Sequence, residues 1–181
     1  MAYRAPQCRC HHGLELSNLV ARDVLVALMR PKRSSTTRRP RKKIVIKGFV
    51  QNLEGLAVDN VDFRRVLYTA KHCQLVLMAL EPKEEIGAEV HKLDQFFRVE
   101  EGSGEAVLDG LHTPIRAGFG VLVPAGTKHN IINTGKAPMK LYTIYSPPNH
   151  RDGVVHRTRA GADADKEHFD GKTTEWAECS E

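Results

Sequence analysis

Within one stretch of short apolar runs lie four side chains of types that can ligate a metal: Glu89, His91, Gln95 and His129. Glu89-Val90-His91 lies in a stretch of strand length, where successive side chains point to opposite faces. Glu89 and His91 therefore share a face and Val90 takes the other. Gln95 opens the next strand after the short turn Lys92-Leu93-Asp94. A tight antiparallel pair across that turn predicts Gln95 beside His91. Gln95, Phe97 and Val99 then share one face, while Phe96, Arg98 and Glu100 take the other. A carboxylate, an imidazole and an amide gathered in an apolar interior are costly unless something satisfies them, and a divalent cation would. Taken singly, each is more often an ordinary buried or exposed residue, so the argument rests on the constellation.

The elements that must position these groups are short. Apolar runs at 44–50, 63–69, 74–80, 87–91, 95–100, 104–108, 113–116, 120–124, 129–133 and 140–145 predict strands. They are punctuated by Glu81-Pro82-Lys83, Glu101-Gly102, Asp109-Gly110, Ala117-Gly118, Pro124-Ala125-Gly126 and Thr134-Gly135. Many short strands at this spacing predict an antiparallel sandwich or barrel. Asp109-Gly110 predicts a two-residue hairpin, because both central positions of the favoured turn need positive φ. Phe97, Val99, Met78, Tyr142 and Ile144 are candidate inward side chains, more simply read as packing. Beyond residue 147 the chain is polar, with a weakly helical stretch at 160–168, and reads as a strap over the barrel. His150 and His156 lie on it.

The 181 residues carry a formal net charge of +5, which suggests nucleic acid until it is divided along the chain. Residues 1–43 hold 11 Lys/Arg and two acids, whereas the remainder holds 16 Lys/Arg and 20 acids. The basicity belongs to an N-terminal extension, expected to be disordered over 30–43, with a short amphipathic helix at 16–29. Such an arm gives non-specific nucleic-acid contact at most. An organellar transit peptide and an alternative start at Met29 are the other readings of this segment. The expected organisation is an extension at 1–43, a barrel at 44–150 and a polar tail at 151–181. Cys8, Cys10, His11 and His12 form a small cluster that matches no closed zinc pattern. Cys8, Cys10, Cys73 and Cys179 are too few and scattered for a disulfide framework. With neither a signal peptide nor a membrane span, a cytoplasmic protein is expected. Cys73 is read as a small buried apolar residue.

Gly118, Pro124, Gly126, His129 and Asn133 fall at the spacing Gly, five residues, Pro-x-Gly, two residues, His, three residues, Asn. At that spacing the sequence resembles the second motif of the cupin superfamily. The first cupin motif reads Gly, five residues, His-x-His, three or four residues, Glu, six residues, Gly. Gly102 ends it here, Lys83 stands at the leading glycine, and the ligand positions fall on Glu89, His91 and Gln95, two of them with changed identities. The resemblance covers roughly residues 46–150 and implies an all-β, double-stranded β-helix or jelly-roll barrel. It also implies one divalent metal held by Glu89, His91, Gln95 and His129. Such a donor set suits Zn, Mn, Fe or Ni.

The resemblance extends to phosphomannose-isomerase-like cupins, which use the same ligand types with Glu and Gln exchanged. It implies a metal-dependent isomerase or epimerase acting on a small polar molecule such as a sugar or sugar phosphate. Tyr142 is the candidate proton-moving residue, and Arg98 or Lys128 the candidate rim contacts for an anionic substrate. An Fe(II) dioxygenase using His91, His129 and Glu89 is the first alternative. A non-enzymatic small-ligand-binding barrel is the second. A homodimer is expected from the resemblance alone.

Overall fold

The protein is described by a computed structural model over residues 47–175. The expected features at residues 1–43, including the 16–29 helix and the Cys8, Cys10, His11 and His12 cluster, lie outside the described residues, as does Cys179.

The elements in chain order are α1 (Leu53–Asp59), β1 (Arg64–Thr69), β2 (Gln74–Leu80), β3 (Glu89–Val90), β4 (Asp94–Glu101) and β5 (Ser103–Leu108). They continue with β6 (Leu111–Arg116), β7 (Gly120–Val123), β8 (Lys128–Ile132), β9 (Met139–Ser146), β10 (Val155–His156) and α2 (Arg159–Ala164). Two antiparallel sheets form the barrel: a six-stranded sheet ordered β10-β1-β2-β9-β4-β7 and a four-stranded sheet ordered β3-β8-β5-β6. Alternation places Val76, Met78 and Leu80 of β2, Phe97 and Val99 of β4, and Leu141 of β9 in one buried cluster with Ala106 and Ile131 of the second sheet. Each fully buried side chain of that size contributes about 1.5–3 kcal/mol of transfer free energy. The outer face of the larger sheet is partly covered too, and Leu77 is buried there.

Local chemistry explains the joints. The β5–β6 hairpin turns through Asp109 (φ 46°) and Gly110 (φ 83°), as the positive-φ requirement predicts. Asn52 caps α1 by accepting a hydrogen bond from Gly55 N at 3.2 Å, and Thr158 caps α2 through Gly161 N at 3.2 Å. Lys83 adopts φ 71°, so the backbone at the first motif's leading position keeps the left-handed shape that glycine would supply. Lys83 N donates to Asn133 O at 3.0 Å, and Asn133 N to Glu84 O at 2.9 Å. The Asn133 side chain completes that joint. Its amide nitrogen donates to Leu80 O and Ala137 O, and its oxygen accepts from Gly135 N.

Four expectations need correction. Residues 47–50 form no strand, and the unpredicted α1 follows at Leu53–Asp59. The turn after His91 is not a hairpin: β3 pairs with β8 in the smaller sheet, whereas β4 lies between β9 and β7 in the larger one. The chain changes sheets there, which local spacing does not encode. Tyr142 and Ile144 lie on the outer face of β9, because the buried positions are Met139, Leu141, Thr143 and Tyr145. Cys73 is exposed in the β1–β2 turn.

Candidate metal centre

β3 and β8 align Glu89 directly opposite His129. His91 follows two residues later, and its ring centroid lies 5.3 Å from that of His129. The turn of the second motif clamps this arrangement. Gly126 N donates to His91 O at 2.8 Å, and Ala125 N to the Asp94 carboxylate at 2.9 Å. Gly126 holds φ 86°, a conformation that glycine adopts without strain. One ligand atom each from Glu89, His91 and His129 falls within 4.8 Å of the others. Donors gathered this closely could converge on one ion after modest side-chain movement.

The protonation pattern favours a cation. His129 Nδ1 donates to Thr127 O at 3.1 Å, which leaves Nε2 as a bare lone pair. That Nε2 is buried and finds no hydrogen-bond partner among the described residues. Burial lowers the His129 pKa, and the Thr127 carbonyl does not offset it, so the imidazole stays neutral. Burial pushes the Glu89 carboxyl up, but its hydrogen bond to His91 and the charges of His91, Arg64 and His129 outweigh this and hold it below its usual range. Glu89 accepts from His91 Nε2 at 3.0 Å.

Gln95 reaches the inner face from the other sheet, flanked in register by Tyr145 and Val123. Its Nε2 donates to Thr143 Oγ1 at 3.0 Å, and its Oε1 is buried without a partner. Two orphaned acceptors, His129 Nε2 and Gln95 Oε1, thus accompany an ionised carboxylate. Unpartnered buried acceptors are unfavourable, and a divalent ion is the species that satisfies lone pairs together with a negative charge. The residues present fit such an ion.

The other candidates fall elsewhere. Tyr142 packs beside Phe96 on the outer face, ring centroids 6.4 Å apart, with its sheet between it and the cluster. Lys128 is exposed on β8, and Arg98 lies on the outer face of β4, 3.7 Å from Glu100. Other polar groups are buried on the inner side. Tyr145 is buried with its ring 5.8 Å from His91 and 5.1 Å from His150. Burial first, and the Glu89 charge next, keep its phenol protonated. His150, on the segment after β9, is buried and donates from Nδ1 to Glu167 at 2.6 Å. Desolvation keeps His150 neutral despite that partner. Burial would raise Glu167, but hydrogen bonds from His150 and Arg151 N pull it down to about 2. Arg64 is buried on β1. The Tyr142-to-Tyr145 spacing was the available signal: an odd step along a strand changes the face.

Similarity to known proteins bears on the fold that carries these residues. The family described as Cupin domain matches residues 76–145. YrkC of Bacillus subtilis (strain 168) is 44% identical over 123 residues, covering 64% of this chain and 66% of YrkC. L612 of Acanthamoeba polyphaga mimivirus is 40% identical over 126 residues, covering 65% of this chain and 78% of L612. The crystal structure of BH2720 from Bacillus halodurans superposes with a TM-score of 0.64 at 42% identity, covering 72% of this chain and 98% of that one. A matched cupin domain, both motifs in one barrel and relatives at this level of identity place the chain in the cupin superfamily.

Proposed function

We propose that the protein is a metal-dependent cupin enzyme that moves a proton on a small polar substrate, in the manner of a sugar or sugar-phosphate isomerase or epimerase. The observation that carries this reading is the cluster of an ionised Glu89, His91 and the orphaned His129 nitrogen, with a second unpartnered acceptor, Gln95 Oε1, on the inner face of the other sheet. Glu89, His91, His129 and Gln95 would hold the ion. When bound, it supplies Lewis-acid polarisation of a carbonyl or hydroxyl.

The chain's own residues supply the rest. Tyr145 keeps its proton at neutral pH, so it orients a substrate oxygen by donating. His150 is the candidate base, replacing Tyr142. It is neutral, its Nδ1–H is fixed on Glu167, and its Nε2 lone pair meets only the Asn149 amide at 3.3 Å. In an aldose–ketose exchange, Nε2 takes the proton from the hydroxyl-bearing carbon beside the carbonyl and delivers it to the carbonyl carbon, while the hydroxyl proton passes by way of Tyr145 to the former carbonyl oxygen. Buried apolar neighbours limit the entry of water. The expected compartment and homodimer belong to this reading as well.

One observation favours a second reading. Glu89, His91 and His129 form a two-histidine, one-carboxylate set, which suits Fe(II) and oxygen chemistry. The two readings separate in one experiment. Protein loaded with Zn, Mn or Fe(II) is incubated in deuterated water with mannose 6-phosphate and fructose 6-phosphate, while an electrode follows dissolved oxygen. Deuterium incorporation at the exchanging carbon supports proton transfer. Iron-dependent oxygen uptake with no exchange overturns it in favour of the dioxygenase.

A further inference from the structure

Arg64 is a buried cation without an anion. The residue is 9% exposed and alternates with the inward Val66 on β1. Its register partners are Met78, an inward core residue, and His156, also buried. Among the described residues its side chain makes no hydrogen bond or ion pair, and its Nε is buried without an acceptor. The Phe63 ring, 5.8 Å from its guanidinium carbon, offers only a π face. His156 Nε2 faces Asp165 at 3.1 Å, while its Nδ1 is a second buried atom with no partner. Alternation along β1 turns Arg64 to the inner face of the larger sheet, the face that also carries Gln95 and Tyr145, and its charge acts on Glu89, Tyr145, His150 and Glu167.

A buried guanidinium is normally matched by a carboxylate, because desolvating it unpaired is strongly unfavourable. Glu89 and Glu167 are near enough to be influenced, yet each is engaged with a histidine. We infer that Arg64 is the substrate-anion site of this barrel, binding an oxyanion of the substrate, a carboxylate or a phosphate ester, within reach of the metal ligands. The inference rests on the proposed function's reading of the barrel interior as the substrate site, and narrows the substrate to an anion. Guanidinium geometry suits paired oxygens of either oxyanion.

The test uses the full chain, stripped with EDTA and dialysed, and in parallel the metal-loaded protein. Sodium phosphate and sodium acetate are titrated at ionic strength held constant with sodium chloride, reading Tm and heat of binding. Wild type is expected to gain Tm with at least one of the two anions. Preference for phosphate indicates a phosphate ester, and preference for acetate a carboxylate. Arg64→Met is expected to lose the response, whereas Lys136→Gln, an exposed cation in the turn after β8, keeps it. If Arg64→Met does not fold, Arg64→Lys carries the test. The loss of paired donors should then weaken anion binding about tenfold. An unresponsive wild type, or equal responses in wild type and the Arg64 variant, overturns the assignment. Metal content is measured on the same samples. Anion binding by protein that retains no metal after loading would contradict the metal-enzyme reading and leave Arg64 assigned, and metal retention without an anion response would do the reverse.

Discussion

Glu89 and His129 are Cα partners across the β3–β8 pair, although they belong to two separate sequence motifs. That single register joins the motifs into one site. It sets a carboxylate facing an imidazole whose Nδ1 is already committed to Thr127 O. A slip of one residue would turn Glu89 or His129 out of the barrel, since alternate side chains face opposite sides.

Lys83→Gly should stabilise the fold. A side chain at φ 71° is strained by roughly 1–2 kcal/mol, and the added flexibility of glycine returns only part of that. A net gain of about 0.5–1 kcal/mol is expected in urea unfolding. A loss of stability would mean that the Lys83 side chain contributes more than its backbone strain removes.

Asn133→Ala should destabilise by about 2–4 kcal/mol, because Leu80 O, Ala137 O and Gly135 N lose their partner in a buried setting. Metal affinity should fall only as far as the fold loosens. Chemical denaturation beside metal titration checks both, and an unchanged unfolding midpoint would contradict the structural role.

Tyr142→Phe should leave metal binding and turnover unchanged, and Tyr145→Phe should lower turnover with little change in metal content. The outer-face ring of Tyr142 contacts Phe96, whereas Tyr145 stands edge-on to His91 and His150. Steady-state kinetics of both variants separates the two residues. Equal losses would place the proton chemistry elsewhere.

Acid should weaken the fold in two stages. The native pKa of His150 lies below its ordinary 6.5, and that of Glu167 is about 2 against 4.5. In both cases the unfolded chain takes the proton first as pH falls. The stability these groups supply is therefore whole above about pH 6.5. It declines as unfolded His150 protonates, and declines again from about 4.5 towards 2. Urea unfolding from pH 8 to pH 3 should show this, with a shallower acid limb in Glu167→Gln. Parallel curves for wild type and variant would contradict it.

The sequence announced the strands from 63 onward because their apolar residues alternate and turn residues separate them. The second motif was legible because Gly126 and Pro124 encode a turn that can be recognised at short range. Three features were hidden. The β3-to-β4 connection looks like a hairpin locally, and only long-range pairing sends its arms to different sheets. Alternation in β9 separates two faces without saying which is inward, and apolar residues occupy both, so Tyr142 and Tyr145 were indistinguishable in kind. Arg64 opens a strand beside exposed Arg65, where an arginine reads as surface charge. Its burial depends on neighbours far along the chain.

The central claim is a metal held by Glu89, His91, Gln95 and His129. Elemental analysis of purified wild type, beside the His91→Ala/His129→Ala double variant and Gln95→Ala, tests it most directly. About one divalent ion per chain is expected in wild type, none in the double variant and weakened retention in Gln95→Ala. No bound metal in wild type, even after reconstitution with Zn, Mn, Fe or Ni, would contradict it and leave a metal-free binding barrel.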